Sequence, residues 1–144
     1  MIYSKDHLKA VHDFNLRSAF DYHKLNYSEH YLSFIYLKDL LNQYSYKNSS
    51  ISFERVIDFC ERLSSTAQPS YLDYVKFSDS ILFHLSFFPH YFDKHILSKD
   101  FYRLFAKNNY GIISEEDDDV FRLLYDHFLS YERALAFVGK QYFN

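Results

Sequence analysis

The stretch YLDYVKFSDSILFHLSFF, residues 71–88, stopped by Pro89, constrains this chain more than any other feature. From Ile81 onward only His84 and Ser86 interrupt its apolar run. A helix that is apolar on every side has to be enclosed by the rest of its protein. Its length approaches that of a membrane span, but Asp73, Lys76 and Asp79 occupy its first half and argue against lipid. The stretch therefore reads as the buried central helix, about residues 70–88, of a bundle that does not enter a membrane.

The rest of the chain supports an all-α fold. Its 144 residues suit a single helical domain, 1–144, large enough to bury a core. Only two glycines and two prolines occur, and no Asn-Gly or Asp-Gly hairpin signal is present. Pro69 precedes the central helix and Pro89 ends it, while Gly111 and Gly139 follow periodic segments and read as C-terminal caps.

Periodicity then predicts about six helices in a compact bundle. The first runs over about 4–22, with Leu8, Val11, Phe14 or Asn15, Ser18 or Ala19, and Tyr22 along one face. Ser28 caps the second, which carries Tyr31, Leu32, Ile35, Leu37, Leu40, Leu41 and Tyr44. Ser50 or Ser52 opens the third, with Phe53, Val56, Ile57, Cys60 and Leu63 as its stripe. After the central helix, Ser98 caps a helix with Phe101, Leu104, Phe105 and Asn108 on one side. Ser114 caps the last, whose stripe is Val120, Leu124, Phe128, Tyr131, Leu135 and Val138.

Composition narrows the function classes. The net charge is −3 and the basic residues are scattered, so no cationic stripe tracks a phosphate backbone and nucleic acid is disfavoured. The lone Cys60 excludes an internal disulfide and reads as an inert buried thiol. The opening MIYSKDHLKA has no apolar run of signal-peptide length, which with the lone cysteine points to the cytoplasm. Fifteen Tyr and sixteen Phe are more rings than a small core hides. Either codon bias or a partner surface accounts for such an excess, and Tyr is favoured at interface hot spots.

Candidate chemistry is sparse. His90, Asp93 and His95 form the most ligand-like spacing, although a connector after Pro89 does not align them on one helix face. Asp79 lies mid-way along the buried helix, where a carboxylate needs a partner, and Arg55, Arg62, Arg103 or Arg122 could supply one. It reads as a buried polar anchor. Glycine-rich phosphate loops and a Gly-x-Ser-x-Gly elbow are absent from the sequence. The acidic run Glu115–Asp119 reads as a helix start favoured by the dipole.

The central segment resembles that of a family of small, uncharacterised bacterial all-helical proteins. Their motif runs Gly-Asp-x-Ser-Leu-Tyr-x-Ser-Gly-Phe-Phe. Asp79, Leu82, Phe87 and Phe88 match it, with Phe83 in place of its Tyr. Ser78 and Ser86 stand at its glycines, and Ile81 and Leu85 at its serines. Asp100, Phe101, Tyr102 and Tyr110, then Val120, Phe121, Leu124, Phe128, Tyr131 and Leu135, follow its later rhythm over the C-terminal half. The resemblance implies a compact helical domain in which Asp79 matters, and implies no activity.

The expectation is a non-enzymatic helical protein that binds another protein or itself as a homodimer, with no cofactor. Tyr31 and Tyr36 are its expected partner-binding residues. The alternative is a metal- or ligand-binding helical enzyme using Asp79 with His84, or His90, Asp93 and His95. A third reading is a viral or mobile-element protein that blocks a host machine through the acidic run Glu115–Asp119.

Overall fold

The computed structural model describes residues 5–46, 56–65, 70–94, 96–115 and 119–143. It is an all-α bundle, with seven α-helices, one 3₁₀ turn and no strand among the described residues. The helices are α1 (Lys5–Tyr22), α2 (Tyr27–Tyr46), α3 (Val56–Ser64) and α4 (Tyr71–Phe87), followed by the 3₁₀ turn Pro89–Lys94. Then come α5 (Lys99–Ser114), α6 (Asp119–Asp126) and α7 (Phe128–Phe143). No helix among the described residues is long and apolar enough to cross a membrane.

α4 is the centre. Every residue from Phe77 through Phe87 is buried, Ser78, Asp79, Ser80, His84 and Ser86 included. Its polar side chains satisfy themselves locally where they can: Ser86 Oγ donates to the Leu82 carbonyl at 2.8 Å. α5 and α7 flank it most extensively, and α2 also touches it. Its first turn is held by Asp73, whose carboxylate accepts from the Ser70 N–H and hydroxyl at 3.2 Å each. Those Ser70 bonds, led by the backbone one, hold the Asp73 carboxyl below its ordinary pKa.

Several expectations are corrected. In α1, Phe14 and Tyr22 are exposed; Ala19 is buried as its place in the stripe implies, and His12, Leu16 and Phe20 turn inward with it. The polar His12 disguises that stripe; its Nδ1 lies 2.7 Å from Asn42 Oδ1 of α2. The cap of α2 is Asn26, whose Oδ1 accepts from the Ser28 N–H at 2.8 Å and the Ser28 hydroxyl at 2.7 Å. Cys60 is exposed, because Phe59 takes the inward position on α3 and stacks on Phe77 at 3.9 Å. Ser98 does cap α5, accepting from the Phe101 N–H at 3.1 Å. Phe53 and the proposed caps Ser50 and Ser52 lie outside the described residues, as does Pro69.

Neither glycine ends a helix. Gly111 lies inside α5, where a Cβ would come within 2.7 Å of the Tyr125 ring on α6. Gly139 lies inside α7 against the Phe87 ring. Gly111 thus serves a close approach between helices, whereas at Gly139 a Cβ would make an ordinary contact. Ser114 closes α5, its hydroxyl donating to the Gly111 carbonyl at 2.7 Å, instead of opening the last helix. That last helix is broken at His127, which lets α6 lean on α5 and α2 while α7 packs on α4 and α1.

Candidate functional site

Among the described residues, candidate chemistry gathers at the centre of α4, at its C-terminal end and on the outer face of α5. At the centre, Tyr36 of α2 and Tyr110 of α5 both donate to Oδ1 of Asp79, each at 2.6 Å. One turn position away, Asn109 Nδ2 donates to Ser78 Oγ at 3.1 Å, so α5 grips α4 through two adjacent bonds. Phe121 of α6 covers the pair, with its ring 5.7 Å from that of Tyr36 and 6.0 Å from that of Tyr110. Burial raises the Asp79 pKa to about 6, against the opposing pull of the Tyr110 and Tyr36 hydroxyls. Burial, reinforced by the nearby Asp79 charge, pushes Tyr110 well above the ordinary tyrosine value.

Among the described residues, no arginine pairs with Asp79. Arg62 pairs with Asp73, Arg122 with Asp126, and Arg103 with Glu132 and Asp100, while Arg55 lies outside the described residues. Arg103 makes a two-pronged bridge: Nε to Glu132 Oε1 at 2.6 Å and an Nη to Oε2 at 2.8 Å. The expected Tyr31 is exposed on α2. Tyr36, expected beside it on a partner surface, instead turns its hydroxyl inward to Asp79.

His84 does not join Asp79. Five positions apart on one helix, they point about 140° from each other. His84 Nδ1 bonds the Ser80 carbonyl at 2.8 Å, which requires the proton on that nitrogen. Burial lowers its pKa, opposed by the Ser80 bond. Its ring helps line an open groove of about 700 Å³ where α4 meets the 3₁₀ turn, together with Phe87, Phe88, Tyr91 and Lys94. Nearby, His90 Nδ1 lies 3.3 Å from Asp93 Oδ2 on an exposed surface, and His95 lies outside the described residues. Among the described residues, no group of three His, Cys, Asp or Glu side chains is placed to hold a metal ion.

The outer face of α5 is the third place. Tyr102, Ala106, Asn109, Tyr110 and Ile113 are buried. Phe101, Leu104, Asn108 and Ile112 fall within an arc of about 80° on another face. The three apolar members of that arc are 42%, 56% and 65% exposed in chain order. The Tyr71 hydroxyl donates to the Ile113 carbonyl at 3.3 Å, which ties the start of α4 to the C-terminal end of α5. Of the acidic run, Glu115 is a turn residue, Asp119 opens α6, and 116–118 lie outside the described residues.

Sequence reasoning missed Tyr110 as the partner of Asp79, because a tyrosine in an aromatic-rich helix reads as core. The apolar side of α5 was visible in the spacing of Phe101, Leu104 and Asn108, but not that it faces outward. No family model, no curated protein and no solved structure matches this chain.

Proposed function

We propose that this protein acts by binding another protein, without catalysis of its own, through the outer face of α5 and the adjoining start of α4. The carrying observation is that α5 is apolar on two faces while only one is covered by the bundle. Leu104 and Ile112 keep more than half of their surface in water, and covering it is worth roughly 1–2 kcal/mol for each side chain, a gain that association recovers. The group best suited to chemistry, Asp79, is engaged by two tyrosine hydroxyls inside the bundle and supports a structural role.

The test is parallel capture from lysate of the source cells by wild type, the double variant Leu104→Asp/Ile112→Asp and Tyr31→Ser. Circular dichroism establishes that each is folded, and light scattering reports self-association. The reading expects a stoichiometric partner or dimer with wild type and Tyr31→Ser, lost in the double variant. Loss with Tyr31→Ser alone would move the contact to α2. Equal recovery by all three would overturn the use of α5.

A further inference from the structure

The groove at the end of α4 lies outside the protein-binding reading. We propose that it is a binding site for a small planar aromatic carboxylate. Its volume, about 700 Å³, is that of a small-molecule pocket. His84 and Phe87 are buried and form its floor, while Phe88 and Tyr91 expose ring surface. The His84 ring centre lies 5.9 Å from that of Phe88 and 5.8 Å from that of Tyr91. These spacings are those of aromatic contacts, so a flat guest extends an arrangement of rings already in place.

Charge selects among flat guests. Lys94 lines the groove and makes no ion pair among the described residues. The neighbouring Asp93 carboxylate is turned to His90 at 3.3 Å. Lys94 is the charged side chain among the groove's lining residues and Asp93 is not one of them, so the charge at the wall is positive and favours an anion over a cation. His84 is fixed by its bond to the Ser80 carbonyl, so the floor is set before a guest arrives. One ammonium beside several ring faces matches one carboxylate on one ring system.

The chain contains no Trp, so a fluorescent aromatic acid can be excited to the red of its own tyrosines. The probes are 2-naphthoate, neutral 2-naphthamide and cyclohexanecarboxylate, titrated into the full chain by fluorescence anisotropy or, for the last, by competition. Amide NMR shifts map the contact. Saturable naphthoate binding is expected, with shifts centred on residues 84–94 and weaker binding of both analogues. Lys94→Gln, an exposed change that leaves the fold intact, should weaken naphthoate about two- to fivefold and naphthamide hardly at all. Phe88→Ala should weaken both aromatic probes. No saturable naphthoate binding, shifts elsewhere, or an unchanged naphthoate-to-naphthamide ratio in Lys94→Gln would overturn the proposal. So would binding of an acidic aromatic peptide with no binding of the free acid.

Discussion

Tyr110 of α5 places its hydroxyl 2.6 Å from Oδ1 of Asp79 in the middle of α4, and that oxygen also receives Tyr36. Two donors on one oxygen leave the other oxygen as the place for a proton. The arrangement thus accommodates a carboxylic acid, in keeping with a pKa raised to about 6. Two distant helices are pinned to the central one at a single atom.

A pH dependence follows. The folded state holds a proton on Asp79 that the unfolded chain releases near its ordinary value of 3.8. The stabilisation is therefore complete below about pH 4 and is lost as pH rises through about 6, amounting to on the order of 3 kcal/mol. Asp79→Asn keeps an acceptor at Oδ1 and cannot ionise. Denaturant melts should show the variant gaining on wild type as pH rises from 4 to 7. The buried, pKa-lowered His12, His30 and His84 act in the opposite direction, but equally in both proteins, so the difference isolates Asp79. A constant difference across that range would refute this.

Removing one hydroxyl should move the transition. Tyr110→Phe deletes a fully buried bond and should cost about 1–2 kcal/mol at pH 5. Because that bond lowers the Asp79 pKa, its loss should carry the fall in stability to higher pH. Tyr36→Phe, on a half-buried ring, should do the same more weakly. Chemical denaturation at several pH values reads both effects.

The bridge from Arg103 to Glu132 joins α5 to α7 with Glu132 buried. Arg103→Leu strands that carboxylate and should cost about 2–4 kcal/mol. Glu132→Gln retains an acceptor and should cost less. Thermal melts of the two variants should rank them in that order.

The glycines make a paired test. Gly139→Ala meets Phe87 at 3.4 Å, an ordinary contact, and should gain up to about 1 kcal/mol of helix propensity. Gly111→Ala drives a methyl to 2.7 Å from the Tyr125 ring. That ring also sits under the Lys107 ammonium, 4.0 Å from its centre, and has to shift. A loss of about 1–3 kcal/mol is expected despite the same propensity gain. Equal effects at the two sites would show that the close approach at Gly111 is not limiting.

Much of the fold was legible because hydrophobic spacing and Pro89 mark α4 without tertiary information. The helix class and the Ser98 cap follow from the same local rules. What escaped depends on contacts between helices. His12 is polar, yet it is buried against Asn42, so the true face of α1 does not appear in an apolar pattern. Gly111 and Gly139 look like terminators because nothing local reveals the Tyr125 and Phe87 rings beside them. The need of Asp79 for a partner was legible from its place in the run, but charge pairing suggested arginine where two tyrosine hydroxyls suffice. Periodicity marks one apolar side of α5, with Phe101, Leu104, Phe105 and Asn108, and does not reveal that the bundle covers Tyr102, Ala106 and Tyr110 instead.

The most direct test of the central claim is site-specific photo-crosslinking in the source cells. A benzophenone amino acid is placed at Leu104, in the α5 stripe, and separately at the exposed Arg133 of α7. The expected result is a discrete protein adduct from position 104 and none from 133. No adduct from 104, or the same adducts from both positions, would contradict a protein-binding face on α5.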